Sequence, residues 1–137
     1  MTEQTTRLVL PSHIEAVAEA AAAAADFIKQ CGFGEDAAFR VDMAIREAVT
    51  NAVVHGNRED ETKEVEVTFS SSPGELEIEV SDQGSGFDPG AVPDPTDPDN
   101  ILKTSGRGIF LIRSFMDNVQ WSMRPAGGTT LRMIKRL

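Results

Sequence analysis

Three short segments carry residue types whose spacing can do chemistry. The first is Asp82-Gln83-Gly84-Ser85-Gly86, which follows a strand-like run from Glu75 to Val80. A carboxylate there can accept a hydrogen bond from an exocyclic amine. The glycines let a flat ligand or a phosphate come close to the backbone. Acidic, glycine-rich turns after strands are also ordinary connectors, so this loop alone is not specific. The second segment holds Glu47, Asn51 and His55-Gly56-Asn57. At about 100° per residue, positions i, i+4 and i+8 share one side of a helix. A carboxylate on that side can take a proton from a hydroxyl or a water. The neighbouring amide can offer its oxygen to Mg²⁺, a hard cation. The third segment is Ser105-Gly106-Arg107-Gly108, ahead of the apolar run Ile109-Phe110-Leu111-Ile112. Free N–H groups at a helix start point at an anion, and glycines let the backbone close around phosphates.

The elements that must position these residues can be read from periodicity. Arg7-Leu8-Val9-Leu10 is a short strand ended by Pro11. Ser12 to Glu15 has the spacing of a capping box, with Ser12 as N-cap. An Ala-rich helix follows to about Gln30, stopped by Gly32 and Gly34. Its run of alanines from Ala21 suits close packing against a neighbour. A second helix runs from about Glu35 to Val54, with Val41, Ala44, Ile45, Ala48 and Ala52 as its apolar stripe. Glu47 and Asn51 lie at the edge of that stripe, where a cleft would open.

Val65, Val67 and Phe69 alternate with polar residues, as do Leu76, Ile78 and Val80. Ser72-Pro73-Gly74 joins them as a hairpin with one wet face. Residues 88–100 contain Pro89, Pro93, Pro95 and Pro98 and are expected to be a mobile loop. A third helix is expected from about Arg107 to Phe115. Two last strands, 119–123 and 130–135, are joined at Pro125-Ala126-Gly127-Gly128. This order predicts a single α/β domain over residues 1–137. Its form is a two-layer sandwich, with a mixed, mostly antiparallel sheet of about five strands covered on one face by three helices.

Composition narrows the function. The chain has 137 residues, which suffices for one core and not for two. Its formal net charge of -9 argues against nucleic acid and against an anionic membrane surface. A phosphate ligand stays open, because backbone N–H groups and Mg²⁺ can substitute for excess Lys and Arg. The one cysteine, Cys31, cannot form an internal disulfide and says nothing against a reducing cytoplasm. No apolar run approaches a membrane span, and no signal peptide is expected. Duller readings suit the remaining residues. His13 is expected to be solvated, Cys31 packed or partly exposed, Lys135 and Arg136 exposed, and Trp121 and Phe110 in the core.

Taken together, the three segments resemble the GHKL family of ATP-binding domains, and within it the small anti-sigma-factor serine kinases of bacteria. Glu47-x-x-x-Asn51-Ala52-x-x-His55-Gly56-Asn57 matches the N box. Asp82-x-Gly84-x-Gly86-Phe87 matches the first glycine box, and Gly106-Arg107-Gly108-Ile109-x-Leu111-Ile112 the second. The likeness runs over essentially the whole chain, in order and spacing.

The resemblance implies roles. Glu47 would be the general base for a serine hydroxyl of a protein substrate, and Asn51 would bind Mg²⁺. Asp82 would accept the adenine amino group of ATP, with Gly84 and Gly86 shaping the pocket floor. Residues 88–105 would form a lid, and Gly106, Arg107 and Gly108 would contact the phosphates. Thr130, or its neighbour Thr129, would lie near adenine. The implied partners are a sigma factor, held inactive, and an anti-sigma factor antagonist, phosphorylated on serine. A homodimer and a cytoplasmic location are implied as well. A sensor histidine kinase would use the same boxes but adds a helical domain bearing the acceptor His, for which 137 residues leave no room. Topoisomerase and chaperone ATPases are far longer. The serious alternative is an ATP-dependent module that sequesters a partner with little or no phosphoryl transfer.

Overall fold

The computed structural model describes residues 4–57, 60, 62–84, 112–124 and 127–136. Five strands form one sheet: β1 (Gln4–Pro11), β2 (Glu64–Ser72), β3 (Glu75–Ser81), β4 (Asn118–Met123) and β5 (Thr129–Arg136). Their order across the sheet is β1-β2-β3-β5-β4. The expected mostly antiparallel sheet is antiparallel at every pairing. Helices α1 (Ala16–Cys31) and α2 (Glu35–Thr50) connect β1 to β2. Of the expected third helix, residues 112–115 are described, and they are helical. No helix among the described residues is long and apolar enough to cross a membrane.

Alternation in the strands builds the core. Val65, Val67 and Phe69 of β2, Leu76, Ile78 and Val80 of β3, and Leu131 and Met133 of β5 are all buried. They pack against Val41, Ala44, Ile45, Ala48 and Val49 of α2 and Ala16, Ala20, Ala21 and Ala24 of α1 in one cluster. Phe27 of α1 stacks on Phe69 with ring centroids 5.6 Å apart. The small alanine face of α1 is the side turned inward, as the sequence suggested. Gly32 ends α1 at φ 79, and the next N–H, of Phe33, reaches back to the carbonyl of Ile28 at 3.2 Å. That bond is the 6→1 closure of a Schellman motif.

The second helix departs from expectation at its exit. Its α-helical winding ends at Thr50, and residues Asn51–Gly56 form a π-helical turn. The Asn57 N–H bonds the Ala52 carbonyl five residues back, at 2.8 Å. Such turns widen the helix by one residue and often occur at functional sites. Counting at about 100° per residue therefore holds for Glu47 and Asn51 and not through His55, while Ala52 of the expected apolar stripe is buried.

The capping box does not form. Glu15, not Ser12, is the N-cap of α1, and no side chain caps that end. Ser12 is instead tied to the sheet through its N–H, which donates to the Lys63 carbonyl at 3.1 Å. His13 supplies local support, since its Nδ1 accepts the Glu15 N–H at 3.2 Å. Lys135 also differs from expectation. Its side chain is only 15% exposed, and its Nζ pairs with Asp117 at 3.1 Å. Cys31 is half-buried, with its thiol 3.4 Å from the Ser71 hydroxyl. Trp121 is half-buried beneath the Arg113 guanidinium, 5.1 Å from the ring centroid. Phe110 lies outside the described residues.

Ser12 tests the difference at the start of α1. Its side chain is fully buried, and its hydroxyl has no hydrogen-bond partner among the described residues. An N-cap serine changed to alanine costs about 1 kcal/mol. An orphaned buried hydroxyl has the opposite sign, because its removal relieves a desolvation cost of about 1–3 kcal/mol. Urea unfolding of Ser12→Ala is expected to show unchanged or higher stability. A loss near 1 kcal/mol would restore the capping role.

Candidate functional site

The site is built where β3 ends. A two-residue turn closes the β2–β3 hairpin, with Ser72 opposite Glu75. Bonded pairs then recur at every second position, and the next after Glu66 and Ser81 would be Glu64 with Gln83. That pair does not exchange backbone bonds. The Glu64 N–H donates instead to the Gln83 side-chain oxygen, Oε1, at 2.7 Å. The Gln83 N–H donates to Asn57 Oδ1 at 2.7 Å, and Asn57 Nδ2 donates to the Glu64 carbonyl at 3.0 Å. Two side-chain carboxamides thus replace the ladder, and the chain peels away from β2.

The same substitution occurs toward β5. The Asp82 N–H donates to the Thr129 carbonyl at 2.9 Å, as a ladder requires. The Thr129 N–H returns to the Asp82 carboxylate, at 3.1 Å to Oδ1, rather than to its backbone carbonyl. The Gly84 N–H also donates to Oδ1, at 3.0 Å, closing an Asx-type turn. The Asp82 carbonyl is taken by Arg124 Nη1 at 2.9 Å. Gly128 lies against this same carbonyl at φ +100, and a Cβ there would stand 2.1 Å from the oxygen. Only glycine permits that approach.

Asp82 is consequently a buried carboxylate with an asymmetric environment. It is 7% exposed. Desolvation pushes its carboxyl above the ordinary value of 3.8, against the pull of the Gly84 and Thr129 N–H groups and of the Arg124 and Lys63 charges. Among the described residues, every hydrogen bond to the carboxylate goes to Oδ1. Oδ2 has none, and an amine donor is what it suits. The hydroxyl of Thr129, whose N–H bonds Oδ1, is buried and has no partner among the described residues.

Thr129 and Thr130 occupy opposite faces of the sheet. Thr129 shares the inward side with Leu131 and Met133 and meets Asp82. Thr130 turns to the open face, where its hydroxyl lies 2.8 Å from that of Ser81. Gly84 is buried next to Asp82, and the Asn57 bond carries the exit of the second helix to the residue after Asp82. Glu47 and Asn51 stand one turn apart on that helix, both half-buried, and the Asn51 N–H bonds the Glu47 and Ala48 carbonyls. No hydrogen bond holds either side chain among the described residues. Gly86, the expected lid at 88–105, and Gly106, Arg107 and Gly108 lie outside the described residues, as does the side chain of His55. Asn57, Gln83, Arg124 and Gly128 received no role from the sequence. A turn was expected at 125–128, but nothing in one sequence says that Gly128 abuts Asp82.

The buried charge makes a pH prediction. The folded-state pKa of Asp82 is raised, so its ionisation in the folded protein costs stability. That stability is fully present below about 3.8 and is lost as pH rises through the folded value. Asp82→Asn keeps an Oδ1 for both N–H donors and carries no charge. Its melting temperature relative to wild type is expected to climb as pH rises from 4 toward neutrality. Melts recorded across that range would refute the buried-charge account if the difference stayed flat or shrank.

Residues 10–135 match the model of the histidine kinase-like ATPase domain. The chain is 37% identical over 134 residues to an anti-sigma F factor of Clostridium botulinum, covering 93% of this chain and 90% of that protein. It is 36% identical over 112 residues to the serine-protein kinase RsbW of Bacillus licheniformis, covering 77% of this chain and 69% of that one. Among solved structures it is similar to the RsbU and RsbW domains of a Mycobacterium tuberculosis protein, with a TM-score of 0.72 and 21% identity, over 98% of this chain and 32% of the other. The catalytic domain of the histidine kinase ThkA has the same fold, with a TM-score of 0.59 at 14% identity, over 99% of this chain and 97% of that domain. A five-stranded antiparallel sheet with helices on one face agrees with these matches, and the chain belongs to the histidine kinase-like ATPase domain family.

Proposed function

We propose that this chain is an ATP-dependent anti-sigma factor and serine/threonine protein kinase. In this reading it holds a sigma factor inactive and phosphorylates an anti-sigma factor antagonist. The observation that carries it is the Asp82 carboxylate, whose Oδ1 is filled by two backbone N–H groups while Oδ2 and the Thr129 hydroxyl have no described partner. An acceptor on a buried aspartate, bonded to the N–H of a threonine whose hydroxyl is buried, suits the exocyclic amine and ring nitrogen of adenine. Thr129 therefore takes the base-side role in preference to Thr130. Gly84 lies under the base, and Gly86, Gly106, Arg107 and Gly108 would complete the nucleotide site. The similarity to proteins named anti-sigma F factor and serine-protein kinase RsbW supports the choice of partners.

The residues fit phosphoryl transfer. In this reading Asn51 would offer its side-chain oxygen to Mg²⁺, which when bound would neutralise phosphate charge. Glu47 takes the proton of the substrate serine hydroxyl. That oxygen then bonds the γ-phosphorus as the bond from phosphorus to the ADP oxygen breaks. The work of the protein is to position the hydroxyl and hold the proton at the Glu47 carboxylate. The same reading places the chain in the cytoplasm as a homodimer acting on proteins, with no nucleic-acid or membrane partner.

Two variants separate binding from chemistry. Glu47→Ala is expected to keep Mg·ATP affinity and lose roughly 10²–10⁴-fold in single-turnover transfer to an antagonist protein. Asn51→Ala is expected to lose both. Asp82→Asn should weaken ATP binding by on the order of 1.5–3 kcal/mol in calorimetry. Equal transfer by wild type and Glu47→Ala would leave an ATP-dependent sequestering module in place of a kinase. No binding of Mg·ATP by wild type would remove the nucleotide reading itself.

A further inference from the structure

Asn57 is 1% exposed and is the largest polar side chain among the fully buried ones. Its carboxamide acts as a peptide unit inserted between two strands, accepting from the Gln83 N–H at 2.7 Å and donating to the Glu64 carbonyl at 3.0 Å. The Gln83 side chain closes the circuit by accepting the Glu64 N–H at 2.7 Å. Each residue of the ring donates to another: Asn57 to Glu64, Glu64 to Gln83, Gln83 to Asn57. The ring joins the exit of the π-helical turn, the start of β2 and the loop after β3.

From this geometry we infer that Asn57 is a positioning residue for base recognition, setting where the Asp82 carboxylate sits by diverting the chain off β2 at Gln83. The inference deepens the nucleotide reading above and rests on it. If Gln83 stayed in the ladder, its backbone would pair with Glu64. Asp82 would then continue β3, and its carbonyl rather than its carboxylate would face the Thr129 N–H. On the other side, Arg124 binds the displaced Asp82 carbonyl and Gly128 leaves room for it. The displaced backbone is thus held from both flanks, and Asn57 is the part that comes from the helix carrying Glu47 and Asn51. A recognition group must be held to within about 0.5 Å to discriminate between ligands. The Asn57 bond also fixes the base acceptor relative to the helix that would hold the phosphate end.

The readout is selectivity for the base, which a merely structural role does not move. Mg·ATP carries the exocyclic amine, and Mg·ITP carries a carbonyl in its place. Wild type should prefer ATP by about tenfold or more, because a site built to accept a hydrogen bond rejects an analogue that lacks the donor. Asn57→Ala should bring that preference to within about threefold. Phe27→Leu, a core variant in α1, should lower the melting temperature and keep the preference. Asn57→Asp retains the acceptor for Gln83 and loses the donor to Glu64, and should fall between. Titrations run at a temperature where all variants are folded would overturn the inference if Asn57→Ala kept the wild-type ratio. Amide hydrogen exchange without nucleotide gives a second arm. Faster exchange at Glu64, Gln83, Gly84 and Thr129 in Asn57→Ala, or in Asn57→Asp should the alanine variant not fold, supports the inference. Unchanged exchange at those amides overturns it. If wild type binds neither nucleotide, the reading of the site fails, while the exchange arm still decides whether Asn57 holds the loop.

Discussion

The arrangement depends on how β3 ends. A β-strand offers each neighbour alternating N–H and carbonyl groups, and leaving the sheet means that some of them lose their partners. Here the ladder bonds are kept and the backbone is released. Toward β2 the oxygen and nitrogen of two side-chain carboxamides take the places of backbone groups. Toward β5 a carboxylate oxygen takes the place of a carbonyl. An unmade buried bond would cost about 1–3 kcal/mol, so a peeled strand without these substitutes would be expensive. With them, Asp82 can be buried, oriented and left with one oxygen unbonded by any described residue. Its position follows from a rule of sheets rather than from a special local sequence.

The helix exit answers the same requirement. A continued α-helix would wind residues 51–57 more tightly. The π-helical turn lets Asn57 bond the Ala52 carbonyl and sit fully buried between Glu64 and Gln83. Widening the helix therefore serves the strand break. Within the ring the buried Asn57 carboxamide both donates and accepts, which removes most of the cost of burying it. It sits at the margin of a core otherwise made of Val, Ile, Leu, Phe and Ala.

Much of this was legible in the chain. The alternation of Val65, Val67 and Phe69, and of Leu76, Ile78 and Val80, fixed two strands and their inward faces, because period two has only two outcomes. Glu47 and Asn51 lay at helical spacing, and Asp82 followed a strand. The ends of elements were less legible. Ser12 has the pattern of a cap and instead bonds the far strand connection through its backbone, which no local rule anticipates. Thr129 and Thr130 differ by one position, which reverses the face of the sheet. Counting back from the inward Leu131 and Met133 puts Thr129 on the inward face, so that much was present in the sequence. The close approach of Gly128 and the bond from Arg124 to Asp82 join residues 42 or more apart, and one sequence holds no trace of them.

Net charge adds a constraint on any anionic ligand. The chain carries -9, so its overall field opposes a triphosphate rather than steering it inward. Screening confines that repulsion, since the Debye length is about 8 Å at physiological ionic strength. Binding must then be won within the site, through short-range donors and a divalent cation, and not by long-range attraction. A buried aspartate fits this division, because it acts at short range as a hydrogen-bond acceptor. In the proposed complex, selectivity would come from the base and be set by the fold, and affinity for the phosphates would come from backbone N–H groups and Mg²⁺. Lower ionic strength would then weaken nucleotide binding, the reverse of what a basic phosphate site shows, and a salt titration of Mg·ATP affinity at constant free Mg²⁺ measures the sign directly. Stronger binding at low salt would mean that cations outside the described residues dominate the site.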